Sequence, residues 1–144
     1  MIVPDINILV HAYNLEAREH KPARAWWERV LGSREPIGLP WASILGFIRV
    51  TTLPRLTKRP LYPREATGHV KQWLASQNVS VITPGEIHAQ LVFDLLDELG
   101  TAGNLTTDAH LAALAIEYRA ELASTDTDFA RFRGLRWFNP LEAK

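Results

Sequence analysis

The chain has 144 residues, 47% of them apolar and 22% charged, which predicts one globular domain able to bury its own core. It has no cysteine, so disulfides, thiolate zinc sites and cysteine nucleophiles are excluded. Its 16 basic and 16 acidic residues cancel only in sum: residues 1–85 carry 11 Lys and Arg against 6 Asp and Glu, and residues 86–144 carry 5 against 10.

The predicted elements alternate along the chain. Met1–Pro4 is a short apolar strand that breaks at Asp5. A helix is predicted over Pro22–Gly32, where Ala23, Trp26, Trp27, Val30 and Leu31 recur at helical spacing between a proline start and a glycine stop. Pro36–Pro40 reads as a strand, and Ser43–Val50 as a helix with Ser43 as its N-cap. Leu53–Pro63 holds three prolines and three basic residues and is predicted to be an irregular exposed connection.

A further helix is predicted over Pro63–Ser76 and a β-branched strand over Val79–Ile82. Ile87, Leu91, Leu95 and Leu99 then mark one helical face that ends at Gly100. Asp108–Arg119 is a second such helix, and Glu121–Ser124 and Leu135–Phe138 are the last strands. Strands joined through helices of this length predict a central, mostly parallel sheet of about five strands with helices on both faces, a three-layer α/β/α sandwich.

In open α/β sheets ligands sit beyond the carboxyl ends of the strands, so the acids placed there are the candidates for chemistry. Asp5 follows the first strand, Asp126 follows the strand ending at Ser124, Asp128 lies two residues on, and Asp108 opens a helix. Two carboxylates ~4 Å apart repel by roughly 4 kcal/mol at an effective dielectric near 20, so a cluster needs protons or a cation. Oxygen-only donors favour Mg²⁺, or Mn²⁺, over zinc. Each acid taken singly also has a capping role: Asp5 for a helix from about Asn7, Asp108 for a helix dipole, Asp128 in a box with Thr125. Only their coincidence at one sheet edge favours a site.

Other signals are weaker. His11, His20, His69, His88 and His110 share no ligand spacing, and His110 reads as a partly buried helix residue. Trp26, Trp27, Trp41 and Trp73 lie on apolar faces that suit a core or an interface better than base stacking. No GxGxxG, GxxxxGK[ST] or GxSxG pattern occurs. A phosphatase-like use of Asp5 as nucleophile is disfavoured by Asn7, where a second aspartate is wanted. No acid lies between Glu35 and Glu65, while Arg49, Arg55, Lys58, Arg59 and Arg64 do, and this basic stretch suits phosphate contacts.

Four stretches carry a resemblance: Asp5–Leu9, Pro40-Trp41 leading to Phe47–Val50, Gly103–Ala112 and Ser124–Phe129, with Phe132–Leu141 as a matching tail. Together they resemble PIN domains, and within them the VapC-type ribonuclease toxins of type II toxin–antitoxin pairs. The resemblance spans essentially all of residues 1–144. It implies a PIN-like fold and cleavage of RNA phosphodiester bonds with a bound Mg²⁺ or Mn²⁺. Asp5, Asp108 and Asp126 are then both catalytic acids and metal ligands, with Asp128 a supporting acid and Arg49, Asn104 and Thr107 substrate contacts.

One position departs from the pattern. Gly46 stands where such proteins place a glutamate, so an alternative is a catalytically weakened PIN-fold protein that binds RNA or a partner without cutting. The implied partners are a VapB-type antitoxin, RNA and a second copy of the chain. An inhibitor is expected to bring an Arg or Lys to the acids and to anchor on the Trp26–Trp27 helix. No apolar run approaches the ~20 residues needed to span a bilayer, and MIVPDINILV lacks the basic start of a secretory leader. A cytoplasmic protein without membrane contact is expected.

Overall fold

A computed structural model describes residues 1–142. Five short strands, β1 (Ile2–Pro4), β2 (Ile37–Pro40), β3 (Val79–Ile82), β4 (Glu121–Ala123) and β5 (Arg136–Phe138), form one sheet in the order β3-β2-β1-β4-β5. Every pairing is parallel: Ile2 lies opposite both Ile37 and Glu121, Ile37 opposite Val79, and Glu121 opposite Arg136. Parallel neighbours cannot be joined by hairpins. The crossovers are made by α1 (Ile6–Tyr13), α2 (His20–Leu31), α3 (Trp41–Thr52), α4 (Pro63–Ala75), α5 (His88–Leu99) and α6 (Thr106–Glu117), with 3₁₀ turns at Gly103–Leu105 and Thr127–Arg131.

Strand alternation sorts the side chains into two cores. Ile37, Leu39 and Ala123 join Ile8, Phe47, Trp27 and Trp73 beneath α1–α4. Val3, Ile82 and Leu122 turn to the other face and meet Leu95, Leu111 and Leu114 of α5 and α6. The result is the three-layer α/β/α arrangement expected from the chain order.

The connections from β1 to β2 and β3 fill one side of the sheet, and β4 and β5 fill the other. The winding therefore reverses between β1 and β4, and the crevice such a reversal opens lies past their carboxyl ends.

Several boundaries move by about two residues: α2 begins at His20, before the proline expected to open it, and α6 ends at Glu117. The helix expected from Ser43 begins at Trp41, because β2 runs into it without a loop and Pro40 occupies the N-cap position. Ser43 is therefore in the first turn, and its buried hydroxyl donates 2.7 Å to the Pro4 carbonyl instead of capping. The helix expected from Asp108 begins at Thr106, continuous with the Gly103–Leu105 turn. The connection between Thr52 and Pro63 has no helix or strand, as its prolines predict. Gly100 ends α5 at φ +70, with its N–H reaching back to the Leu96 and Asp97 carbonyls at 3.1 Å each, a turn that side-chain-bearing residues resist. Among the described residues no helix is long and apolar enough to cross a membrane.

Candidate active site

Asp5 is delivered by β1 into the winding reversal. Its N–H donates 2.9 Å to the Ala123 carbonyl, which carries the β1–β4 pairing one residue past the strands. The side chain is only 5% exposed. Oδ1 accepts the Ile6 N–H at 2.7 Å, which caps α1, and Oδ2 accepts the Ser124 hydroxyl at 2.7 Å. The capping role and the site role thus coexist in one carboxylate.

Ser124 follows β4 directly and is fully buried. Its single hydroxyl proton goes chiefly to Asp5, and Asn7 Oδ1 stands 3.2 Å away as a second acceptor. The same oxygen accepts the Asp126 N–H at 3.0 Å. β5 holds this turn in place: the Trp137 indole N–H donates 3.0 Å to the Ser124 carbonyl, and the Ser124 N–H donates 3.1 Å to the Phe138 carbonyl. One hydroxyl therefore ties the loop after β1 to the loop after β4.

Asp126 caps the Thr127–Arg131 turn, its Oδ1 accepting the Asp128 N–H at 2.9 Å. This replaces the Thr125–Asp128 capping box expected from the sequence. The half-exposed Asp128 lies 3.9 Å from the Arg131 guanidinium. Asp108, in the first turn of α6, is half-buried, and its carboxyl is pushed up to about 6. Burial is the largest cause, followed by the negative charges of Asp5, Asp126 and Asp128. Burial also raises the Asp5 carboxyl, against the hydrogen bonds from Ser124 and Ile6 that favour its charge, and Asp126 adds repulsion. Asp108 thus feels the charges of three other acids, which come from two other segments of the chain.

In charge and donor chemistry the set suits a hard divalent cation: carboxylate oxygens only, with Asp5 and Asp108 resisting ionisation. The side chains are not already drawn into a closed site, since among the described residues no three His, Asp or Glu groups stand at metal-holding distances. Asn104 and Thr107 are exposed on the approach to Asp108. His110 faces away from this set: its Nδ1 is 2.9 Å from His88 Nε2, and burial first, then His88, lowers its pKa.

The basic stretch lies toward the ends of α1 and α3 that point away from the acids. Arg49 is exposed in the last turn of α3, beyond the first-turn Ser43 that bonds to Pro4. Arg55, Lys58 and Arg59 belong to the connection at the far end of α1, over a groove of about 660 Å³ lined by Val10, Tyr13, Val50 and Leu61. α1 has eight residues, so that groove lies about 12 Å from the acids. None of these bases forms an ion pair among the described residues.

The tryptophan expectation needs correction. Trp26 is 6% exposed and in edge contact with Phe138, and Trp27 is fully buried in edge contact with Trp73, so they offer no docking face. Trp41, 52% exposed at the start of α3, is the one of the four that reaches the surface. Sequence reasoning also gave no role to Ser124 or Asn7. The available signal was the Ser124-Asp126-Asp128 alternation just past a strand, which sets a hydroxyl in step with two acids.

Gly46 packs against the first turn of α1. A Cβ there would stand 2.5 Å from Ile6 Cγ1 and Cδ1 and 3.0 Å from Ile6 Cγ2. The Ile6 side chain fills the space that a side chain at position 46 would enter.

Comparison with known proteins places this arrangement. Residues 2–135 match the PIN domain. The chain is 45% identical over 141 residues to ribonuclease VapC33 of Mycobacterium tuberculosis, covering 98% of this chain and 99% of that protein. It is 41% identical over 141 residues to ribonuclease VapC37 of the same organism, covering 97% of each. Among solved structures, VapBC-1 of nontypeable Haemophilus influenzae superposes with a TM-score of 0.68 at 15% identity, over 99% of this chain and 100% of that one, a likeness of fold. The family shares the sandwich and the sequence likeness runs from end to end, so the chain belongs to the PIN-domain family and, within it, to the VapC group.

Proposed function

We propose that this chain is the toxin of a type II toxin–antitoxin pair, an endoribonuclease that hydrolyses RNA phosphodiester bonds with Mg²⁺, or Mn²⁺, held by Asp5, Asp108 and Asp126. The observation that carries the reading is the gathering of acids at the β1–β4 reversal, where burial and the charges of Asp5, Asp126 and Asp128 raise Asp108 to about 6. End-to-end similarity to relatives named ribonucleases supports cutting over the non-cutting alternative.

When bound, the cation lowers the pKa of a water and offsets charge building on the phosphate. The chain's own residues prepare that chemistry. Ser124 and the Ile6 N–H hold Asp5 in one orientation, so one ligand is positioned before binding. Asp108 retains a proton below about pH 6 and gives it up as positive charge enters the cluster. Asp126 is kept in place through its backbone bond to Ser124, and Asp128 adds negative field from the next turn. Asn104 and Thr107 offer an amide and a hydroxyl to the RNA beside Asp108, and Arg49, in the last turn of α3, offers an exposed guanidinium to a phosphate further along the strand.

A VapB-type antitoxin is the proposed inhibitor, pairing an Arg with the carboxylates, whose planar fork suits them. The active species is a homodimer in the cytoplasm. The test is a labelled RNA incubated with the purified protein in Mg²⁺, with chelator, and with Asp5→Asn or Asp108→Asn. Cleavage that needs Mg²⁺ and both aspartates is expected. Cleavage at an unchanged rate in chelator would overturn the metal assignment, and no cleavage of any RNA by metal-loaded wild type would favour the binding-only alternative.

A further inference from the structure

Ile6 and Gly46 belong to α1 and α3, which pack on one face of the sheet, while Asp108 belongs to α6 on the other. Ile6 is the first residue of α1, directly after Asp5, and Gly46 is in the middle of α3, whose first turn is bonded to Pro4. The two helices meet there so closely that Ile6 occupies the volume a side chain at 46 would enter. α3 and everything from Pro36 to Arg64 are free of acids. The carboxylates accordingly come from one side only: Asp5 after β1, Asp126 and Asp128 after β4, and Asp108 from α6.

That one-sidedness limits what the cluster can hold. Two cations a few ångströms apart need carboxylates around both, with some bridging. Asp5 is held in one orientation by the Ile6 N–H and the Ser124 hydroxyl, so it does not swing to share a second ion on the α3 side. Beyond it stands the Ile6 hydrocarbon, which supplies no donor to a second ion. We propose that Ile6 and Gly46 act as one steric unit that closes the α3 side of the site, so that each chain binds a single divalent cation. A carboxylate returns to position 46 only if Ile6 is cut back at the same time. The inference rests on the proposed cation-binding role of the acids and adds its stoichiometry and the pair of residues that set it.

The experiment uses the purified full chain and Mn²⁺ as probe. Calorimetry and paramagnetic resonance count bound ions, and thermal melting without metal is run in parallel. Wild type should bind one Mn²⁺. Gly46→Glu alone should melt lower, with no gain in affinity, because its Cβ meets Ile6. Ile6→Ala/Gly46→Glu should recover part of that loss and bind Mn²⁺ tighter by about tenfold, the scale on which supporting groups tune metal affinity, or bind a second ion. A metal-free cycle of Ile6→Ala, Gly46→Ala and the double variant checks the packing by itself: the double should be more stable than the two single losses predict. Two ions in wild type, or strictly additive melting shifts in that cycle, would overturn the inference while leaving the cation site standing. No Mn²⁺ binding by any of the proteins would overturn the cation reading and the stoichiometry with it.

Discussion

The Ser124 hydroxyl and Asp5 Oδ2 lie 2.7 Å apart across 119 positions of sequence. Because the serine is fully buried and also accepts the Asp126 N–H, removing it leaves a buried carboxylate oxygen and a backbone N–H unserved. Ser124→Ala should therefore lose about 1–3 kcal/mol of stability and weaken Mg²⁺ binding. Urea unfolding and calorimetry measure the two effects. An alanine variant with both values intact would remove Ser124 as the pin between the two loops.

Asp108 makes stability depend on pH. Its folded pKa, about 6, exceeds the ordinary 3.8, so between those values the folded chain holds more protons than the unfolded one. In the absence of metal the Asp108 contribution to stability therefore falls as pH rises from about 4 to about 6 and is flat above. Asp108→Asn should remove that loss, raising stability at pH 8 by on the order of 1 kcal/mol once solvent screening is allowed for. The corresponding melting shift is about 2–4 °C for a chain of this size, and it should vanish at pH 4. A shift of the same size at both pH values would point to a cause other than charge.

Cation affinity should run the other way with pH. Binding must displace the Asp108 proton, so Mg²⁺ affinity is expected to be level above pH 6 and to fall by up to about tenfold per unit below it. Titrations at pH 5, 6, 7 and 8 give the slope, and Asp108→Asn should weaken binding and flatten it. An affinity in wild type that is level from pH 5 to 8 would detach Asp108 from the cation.

Arg49 is exposed in the last turn of α3 and forms no ion pair among the described residues. Arg49→Ala should weaken RNA binding and reduce the slope of log affinity against log salt by about 0.7, one phosphate contact on a single strand. Fluorescence anisotropy with the cleavage-dead Asp108→Asn background isolates binding from cutting. An unaltered salt slope would assign the phosphate contacts elsewhere.

Trp27 is a core residue, in edge contact with Trp73. Trp27→Ala should cost about 3–5 kcal/mol and leave partner affinity unchanged in whatever fraction stays folded. Chemical denaturation and antitoxin titration separate the two quantities. A stable Trp27→Ala protein that no longer bound its antitoxin would restore the docking face.

The order of strands and helices, the parallel sheet and the placing of Asp5 and Asp126 past strand ends were legible in the sequence, because each depends on local periodicity and on where an apolar run breaks. So was the basic, proline-rich stretch after α3, whose residues cannot continue a helix. Other features depend on segments far apart in the chain. Whether Trp26 and Trp27 face outward is settled by Trp73 of α4 and Phe138 of β5, which come far later in the chain and cover them. Ser124 becomes a hub only when β4 pairs beside β1. The lack of a carboxylate at Gly46 takes its meaning from Ile6 on a neighbouring helix. Sequence alone determined the elements and which acids stand at their ends, since those are matters of adjacent residues. Tertiary structure decided which of those acids share a field and what shuts the site on its α3 side, since repulsion and packing act through space.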